Sequence, residues 1–365
     1  MEQTQHLIAL SMIPGLGDSR IKKLVAYCGG AKEVFSQPQH FLEKIPNIGS
    51  KIAASVSSKD VLLKAEKEIA FTEKNGVSII SFLDQEYPQR LKHCDDAPVV
   101  LYKKGAGSIN PPKAVAIVGT RNATREGKEI TEKLVEELAI ANVTIVSGLA
   151  YGIDIAAHKA CLKNNIPTIG CLAHGLDRIY PKLHERTANE MLENGALITD
   201  FPIGTNPDRE NFPKRNRIVA GMADATIVVE AAAKGGALIT AELANGYNRD
   251  VFAVPGRVSD PYSEGCNSLI KYLKAAMVTS GKDVLRSMGW DEKASAKKPE
   301  VQKKLLINLT EDQEKVVSVL QQQEHTIDRL SVLAELPMSK VATVLLELEF
   351  EGIVSNLPGK VYKLN

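Results

Sequence analysis

The sequence has little cysteine and arranges it without a pattern. Its 365 residues include five cysteines, and no two of them form a C-x-x-C pair. They are Cys28, Cys94, Cys161, Cys171 and Cys266. An odd number without paired spacing argues against a disulfide framework and against the usual structural metal sites. We therefore expect reduced thiols, no bound metal and no cofactor.

Long apolar runs and an excess of charge are also missing. No stretch approaches the ~18 uninterrupted apolar residues of a spanning helix, and no cationic segment with a long apolar one follows the first methionine. We expect no signal peptide, no membrane contact and a cytoplasmic location. Since 45 Lys and Arg face 44 Asp and Glu, the formal net charge is +1. This balance excludes a strongly cationic coat, but local basic clusters remain compatible with it.

The length and an ordinary composition predict two to three domains. Short helices separated by Gly and Pro turns predict a helical domain over 1–83. Alternating apolar runs and helical segments predict an α/β core over 84–289, with strands from about residue 114. The charged stretch 290–304 is typical of a linker, and apolar periodicity returns over 305–365.

Six short apolar runs in the central block alternate with helical segments. They are AVAIVG (114–119), VTIVSG (143–148), PTIGCLA (167–173), ALITD (196–200), ATIVVEA (225–231) and VFAVPG (251–256). Continuous rather than alternating apolar runs are typical of strands buried on both faces. The pattern predicts a doubly wound, mostly parallel, Rossmann-like α/β sheet, which binds ligands beyond the carboxyl ends of its strands.

The turn after the first of these strands, G-T-R-N-A-T-R, is not a standard nucleotide loop. It lacks the glycines of G-x-G-x-x-G, and G-x-x-x-x-G-K-[ST] occurs nowhere in the chain. Ordinary NAD binding and P-loop phosphoryl transfer are therefore disfavoured. The turn directs Arg121 towards the crevice, where it is either a phosphate contact or a surface cation.

The segment NFPKRNRIVAG carries the strongest basic signal. Pro213 suits the first turn of a helix, which places Lys214, Arg215 and Arg217 at its positively polarised end. Three cations there are unfavourable unless an anion such as phosphate docks. Phe212 either stacks on a base or anchors the core. We favour an anion site over a solvated basic face.

Two glycine turns support phosphate contact at the same edge. Ser147, Gly148 and Gly152 follow the second strand, and Gly236 opens a helix after the fifth. Small residues and free amides at helix starts allow a ligand to approach closely, although helix caps use the same residues.

Candidate catalytic residues are few. His158 lies in a predicted helix and is better explained by packing. His174, Asp177 and Glu230 lie near strand ends, but no Ser–His–Asp order or paired metal spacing supports them. The sequence predicts a binding protein rather than an enzyme.

Seven motifs occur in order across about 110–270: VAIVGTR, SGLAYGID, FPKRNRIVAG, VVEA, GGALITA, VPG and GCNSLI. Together they closely resemble the DNA-processing protein A family, called DprA or Smf. The resemblance implies a homodimeric single-stranded DNA-binding protein that protects incoming DNA and loads the RecA recombinase in natural transformation and recombination. It also implies DNA-binding roles for Arg121, Ser147, Gly148, Gly152, Phe212, Lys214, Arg215, Asn216, Arg217 and Gly236.

The chain departs from the family pattern in two places. It has K-G-G where many relatives have K-S-G, and KYLKAAMV follows GCNSLI where an I-x-x-G-A-like turn is usual. The second departure puts in doubt the homodimer surface that is expected near this end of the sheet.

The helical segment contains two h-P-x-h-G patterns, IPGLG and IPNIG. They resemble tandem helix-hairpin-helix motifs of a SAM-like domain, whose hairpin amides bind a DNA backbone. Accessory DNA contacts would then come from Gly15, Gly17, Gly49 and Lys51. The alternative is a helical domain that only packs or contacts protein, and both hypotheses stay open.

The C-terminal segment resembles a winged helix. Thr310 and Gln313 form a predicted capping box, Leu336-Pro337-Met338-Ser339 a helix–turn–helix break, and Pro358-Gly359 a wing turn. From residue 305 onwards, five basic residues face nine acidic ones, and the predicted recognition helix has one Lys and three Glu. Phosphate binding needs the opposite charge, so we expect a protein-interaction or regulatory module.

Two other functions fit parts of the sequence. The core also resembles the lysine-decarboxylase-like nucleoside-monophosphate hydrolases, with Glu230 as the carboxylate, although their P-G-G-x-G-T stretch is incomplete here. Base release abolished by Glu230→Gln would favour that enzyme. A purely scaffolding role is the third hypothesis, and DNA binding by residues 110–285 alone would argue against it.

Overall fold

A computed structural model describes residues 2–58, 60–291, 309–321, 323–357 and 361–364. The chain forms two compact units, Met1–Ala296 and Lys297–Asn365, and each is considered by itself. Most of the expected linker 290–304 lies outside the described residues.

Six helices build the N-terminal part of the first unit. They are α1 (Glu2–Ser11), α2 (Asp18–Cys28), α3 (Ala31–Ser36), α4 (Gln39–Leu42), α5 (Ser50–Ser57) and α6 (Asp60–Lys74). The two h-P-x-h-G segments connect α1 to α2 and α4 to α5, so both are hairpins between helices. Their apolar positions, Ile13, Leu16, Ile45 and Ile48, are buried in one apolar cluster with the inner faces of the helices.

A nine-stranded sheet forms the centre of the first unit. Its strands are β1 (Ser78–Ser81), β2 (Val100–Lys104), β3 (Ala114–Val118), β4 (Thr144–Ser147), β5 (Thr168–Cys171), β6 (Ala196–Thr199), β7 (Ala225–Val228), β8 (Asp250–Ala253) and β9 (Ala276–Met277). The spatial order is β1-β2-β6-β5-β4-β3-β7-β8-β9. All neighbours from β6 to β9 pair in parallel, and the burial of β3 to β7 on both faces explains their continuous apolar runs.

The sheet begins earlier in the chain than the strand expected near residue 114. Strand β1 pairs antiparallel with β2, and β2 pairs antiparallel with β6. Strand β1 also lies within the segment expected to be helical, 1–83. An antiparallel pair needs no crossover helix, so these two strands lie outside the strand–helix alternation. Because that alternation was the signal for the other strands, β1 and β2 were not predicted.

Helices cover both faces of the sheet. They are α7 (Gln89–Lys92), α8 (Arg125–Ala139), α9 (Ile153–Lys163), α10 (Glu185–Met191), α11 (Asn211–Gly221), α12 (Gly236–Gly246), α13 (Glu264–Lys271) and α14 (Gly281–Ser287), with a 3-10 turn at Lys182–His184. Helices α11 and α12 pack on one face, and α8, α9 and α14 on the other. This is the doubly wound arrangement that the sequence predicts.

The second unit is a winged helix. It contains α15 (Glu311–Leu320), β10 (His325–Thr326), α16 (Ile327–Leu333), α17 (Met338–Phe350), β11 (Val354–Leu357) and β12 (Val361–Leu364). The capping box of Thr310 and Gln313 is present, and the predicted break lies between α16 and α17. The expected wing turn, Pro358-Gly359, lies outside the described residues.

Candidate nucleic-acid interface

A crevice opens where the strand order of the sheet reverses. Strand β3 lies between β4 on one side and β7 on the other, so the loops after these strands diverge at their carboxyl ends. This is the place where doubly wound sheets bind ligands. The cavity there has a volume of about 780 Å³. Its lining includes Arg121, Gly148, Phe212, Arg215, Asn216 and Gly236.

Arg121 and Phe212 meet at the mouth of this crevice. The Arg121 Cζ lies 4.6 Å from the centroid of the Phe212 ring, a cation–π contact between the loop after β3 and the start of α11. Arg121 is exposed, and it forms no ion pair with any described residue. Tyr180 also lies beside Phe212, with 6.3 Å between ring centroids. A free cation beside two aromatic rings suits a phosphate and its neighbouring base.

Helix α11 begins at Asn211, so Pro213 lies in its first turn, as the sequence predicts. Lys214, Arg215 and Arg217 therefore lie beyond the free amides of the first turn, and they leave the helix in different directions at ~100° per residue. Lys214 is exposed, 3.9 Å from Glu210. The prediction of one basic cluster in the first turn is wrong, because helical geometry separates the three side chains.

Arg215 lines the crevice but is only 3% exposed. Its Nη1 donates to the main-chain oxygens of Gly148 at 2.6 Å and Cys171 at 2.5 Å. Burial lowers the pKa of Arg215 and raises the pKa of buried Asp154, while their mutual attraction opposes both shifts. Arg215 thus connects α11 to the ends of β4 and β5 through two hydrogen bonds of its Nη1.

Arg217 does not reach the crevice. Its Nη2 contacts Asp200 Oδ2 at 2.5 Å and Asp18 Oδ2 at 3.0 Å, and its side chain is only 14% exposed. The carboxylates hold the pKa of Arg217 above its ordinary value against the effect of burial. The expected DNA-binding role of Arg217 is corrected, because two carboxylates already neutralise its charge. In this structure it fastens the N-terminal helix α2 to the sheet.

The small residues divide into packing and lining positions. Ser147 is fully buried and donates to Ile117 O at 2.6 Å, so it serves the sheet rather than the crevice. A Cβ on Gly148 would lie 2.2 Å from Arg215 Nη1, so only glycine leaves room for that guanidinium. Gly152 has a φ of +79°, and a Cβ there would collide with Thr120 O. A Cβ on Gly236 would lie 3.7 Å from Asn216 Nδ2, an ordinary contact, and this side-chain amide donates to the Gly236 carbonyl at 3.2 Å.

Sequence reasoning missed three lining residues. Arg209 and Lys234 are exposed at the crevice, and Tyr180 contributes an aromatic face. Arg209 lies in the loop after β6, whose polar run T-N-P-D-R-E directly precedes the basic segment and was a usable signal. Arg121, Arg209 and Lys234 supply the solvent-accessible positive charge that Arg215 and Arg217 do not.

The candidate catalytic groups are held in structural bonds. Glu230 accepts hydrogen bonds from Thr124 N at 2.9 Å and Thr124 Oγ1 at 2.5 Å, which fastens the start of α8. Asp177 accepts from Arg178 Nη2 at 2.7 Å and from Gly204 N at 3.0 Å, and these hydrogen bonds hold its pKa below its ordinary value against the effect of burial. Burial lowers the pKa of His158 to about 3, so it is a neutral packing residue. In the described part of the chain, no three His, Cys, Asp or Glu residues are grouped as metal ligands.

The two hairpins differ in their surroundings. Gly17 precedes α2, whose first residue Asp18 accepts from Val99 N and pairs with Arg217. A carboxylate at that helix start repels phosphate. Gly49 precedes α5, and Lys51 beside it is exposed. The hairpin of Gly49 and Lys51 remains a candidate accessory DNA contact. Gly15 and Gly17 belong to the other hairpin, which Asp18 connects to Val99 and Arg217.

The winged helix presents an apolar rather than a basic helix. On α17, Met338, Leu346 and Phe350 are 45%, 54% and 85% exposed. The lysine of α17, Lys340, pairs with Asp312 at 2.6 Å. This surface favours the predicted protein-interaction role over binding of phosphate. Among the described helices, none is long and apolar enough to cross a bilayer.

Known protein families match the α/β core and the C-terminal segment of this chain. The family model described as DNA recombination-mediator protein A matches residues 78–289, and the DprA winged helix domain matches residues 300–360. Protein Smf of Synechocystis is 30% identical over 98% of both chains. DNA processing protein DprA of Streptococcus pneumoniae is 42% identical over 56% of this chain and 72% of its own.

Two solved structures are similar to this chain. The X-ray structure of DprA from Streptococcus pneumoniae aligns with a TM-score of 0.64 at 34% identity, covering 78% of this chain and 97% of its own. DprA of Helicobacter pylori, whose structure addresses its single-stranded DNA binding mode, aligns with a TM-score of 0.54 at 30% identity over 59% of this chain and 96% of its own. From its sheet, its winged helix and these matches, the chain belongs to the DNA recombination-mediator protein A family, also called DprA or Smf.

Proposed function

We propose that this protein binds single-stranded DNA in the crevice at the carboxyl ends of β3, β4 and β7. The pairing of Arg121 with Phe212 at the mouth carries the proposal, since it sets a free guanidinium beside an aromatic face. Phosphates bind cations while unpaired bases stack on aromatic rings, and both contacts are independent of sequence. The Helicobacter pylori relative, which binds single-stranded DNA, supports this proposal.

The distribution of charge favours a single strand over a duplex. The accessible cations Arg121, Arg209 and Lys234 border one crevice rather than a broad surface. A duplex keeps its bases stacked inside, so Phe212 and Tyr180 would find no ring to contact. We therefore expect phosphate contacts to be few and the bases to contribute substantially to affinity.

The direct experiment is a binding titration of the full chain with labelled single- and double-stranded oligonucleotides at several salt concentrations. We expect preference for the single strand and a fall of log K with log salt of about 0.7 for each neutralised phosphate. Salt-independent binding, or equal binding of both forms, would contradict the crevice assignment.

We propose that the protein acts without catalysis. The carboxylate required by the alternative hydrolase, Glu230, is occupied by two hydrogen bonds from Thr124. Incubation with nucleoside monophosphates tests the alternative. Release of free base that Glu230→Gln abolishes would establish the enzyme and overturn this proposal.

The cellular role follows from the family. We propose that the bound strand is protected and handed to RecA in natural transformation and recombination, in the cytoplasm. Homodimerisation is proposed at the β9 edge of the sheet, where Tyr272, Leu273 and Met277 are 65%, 93% and 60% exposed. Sedimentation of Leu273→Glu against the unchanged protein tests the dimer, and RecA filament assembly on coated DNA tests the transfer.

A further inference from the structure

The loop over residues 201–210, which follows β6, forms one wall of the crevice. Its members Pro207 and Arg209 line the cavity, and Arg209 is exposed. A surface loop keeps one conformation only where bonds to the rest of the fold hold it. The position of this cation therefore depends on what fixes the loop.

Two carboxylates bind two consecutive main-chain amides of the loop. Both carboxylate oxygens of Glu68 accept from Ile203 N at 3.0 Å, and Asp177 Oδ1 accepts from Gly204 N at 3.0 Å. Glu68 lies on α6 of the N-terminal helices, whereas Asp177 lies in the segment after β5. Hydrogen bonds from an amide to a carboxylate are among the stronger ones in proteins. Two separate elements thus hold the loop at one point.

Further hydrogen bonds hold the loop on either side of Arg209. Arg178 Nη1 donates to Asn206 Oδ1 at 2.8 Å, and Asn211 Nδ2 donates to Asn206 O at 3.1 Å. Asn211 is the first residue of α11. Arg209 therefore lies on a short segment between a rigid helix and the two amides that the carboxylates bind. A shift at those amides moves this segment, because few residues separate them from Arg209.

Packing alone does not explain a glutamate at position 68. The side chain is 2% exposed, and the other buried residues of α6 are Val61, Ala65 and Thr72. Burying a carboxylate costs free energy unless hydrogen bonds compensate it, and the negative charge of Asp177 adds repulsion. An apolar residue would fill the same space without this cost. The hydrogen bond to the loop is what the glutamate contributes.

We propose that Glu68 is a positioning residue for DNA binding, which together with Asp177 holds the loop so that Arg209 binds a phosphate at the crevice. The inference rests on the proposed binding of single-stranded DNA and deepens it. It gives the N-terminal helices a part in this binding that needs no contact between them and the strand.

The experiment measures the affinity of the full chain for single-stranded DNA at several salt concentrations. Glu68→Ala removes the acceptor, and we expect it to weaken binding about 5-fold and to reduce the salt slope by about 0.7, the effect of one lost phosphate contact. Glu68→Gln keeps an acceptor for Ile203 N and should restore affinity to within about twofold of the unchanged protein. Glu73→Ala, exposed on the same helix, is the matched control and should change neither quantity.

A second set of variants separates positioning from a merely structural role. If Glu68 acts through Arg209, its replacement has no further effect once Arg209 is absent, so Glu68→Ala with Arg209→Ala should bind within about twofold of Arg209→Ala alone. Asp177→Ala removes the other carboxylate at an exposed residue and should reduce the salt slope as Glu68→Ala does. This variant tests the loop independently of the folding of Glu68→Ala.

A salt slope that Glu68→Ala and Asp177→Ala leave unchanged would overturn the inference. The same holds if Glu68→Ala weakens binding equally with and without Arg209, because a purely structural role of Glu68 gives that result. Failure of the unchanged protein to bind single-stranded DNA would instead refute the proposed function, so the two failures are distinguishable.

Discussion

Arg215 and Arg217 lie two residues apart on α11, and their guanidinium groups serve opposite sides of that helix. Arg215 bonds to the main chain at the ends of β4 and β5, beneath the crevice. Arg217 bonds to Asp200 and to Asp18 of α2. A separation of ~200° around the helix axis accounts for the difference. Arg215 and Arg217 therefore make internal contacts that hold the fold together, and the accessible positive charge of the crevice comes from other residues.

Replacing Arg121 with Ala should weaken single-stranded DNA binding about 10-fold at moderate salt and reduce the salt slope by about 0.7, the effect of one phosphate contact. The loss should be similar for all sequences, because a backbone contact reads none. Fluorescence anisotropy at several salt concentrations measures both quantities. Arg125→Ala is the matched control, since Arg125 is exposed on the next turn and pairs with Glu129. Equal effects of the two variants would disprove the assignment of Arg121.

Replacing Arg215 with Ala should act chiefly on stability. The change leaves Asp154 buried without its cation and two main-chain oxygens without a donor, which costs about 3 kcal/mol of unfolding free energy. Urea unfolding measures this loss. Lys214→Ala, one residue earlier and exposed, should change stability by less than about 0.5 kcal/mol. A stable Arg215→Ala protein with weakened DNA binding would show that Arg215 contacts the strand directly.

Replacing Asp18 with Asn should loosen the N-terminal helices without abolishing DNA binding. Asp18 joins Arg217 and the Val99 amide, so we expect a loss of about 1–2 kcal/mol. Hydrogen exchange should become faster in α2, while affinity for single-stranded DNA changes less than twofold. Asp60→Asn, at the exposed start of α6, provides the control. A large loss of affinity with unchanged exchange would contradict this prediction.

Glu68 predicts a pH dependence of stability. It is 2% exposed on α6, and both carboxylate oxygens lie 3.0 Å from Ile203 N in the loop that leads to Arg209. Burial raises its pKa to about 7, above the value of ~4.3 in an unfolded chain. The folded state then holds its proton more tightly, so this group favours folding below pH ~4.3 and loses that contribution as pH rises to about 7.

The variant Glu68→Gln keeps an acceptor for Ile203 N and removes the ionisation. It should be more stable than the unchanged protein at pH 8, and the difference should shrink towards pH 4.5. Thermal unfolding across this range measures the difference. Glu73→Gln, exposed on the same helix, should show no such trend. A difference that is constant with pH would refute the raised pKa.

Much of the fold was readable because burial on both faces of a parallel sheet demands continuous apolar strands. The core strands from β3 to β8 lie where the apolar runs are, and Arg121 follows β3 at the edge where ligands bind. Strands β1 and β2 escaped prediction, since their antiparallel pairing lies outside the strand–helix alternation that marked the core strands.

The amino-acid sequence by itself determined the doubly wound sheet, the winged helix and the position of the crevice, because all three depend on local patterns of apolar residues, turns and caps. It did not determine which cations of the crevice are free. That was decided by tertiary structure, where Arg217 meets Asp18 across 199 positions of the chain and Arg215 fills the space left by Gly148. A charge run shows which residues are cationic, but only the folded chain decides which of them are already neutralised.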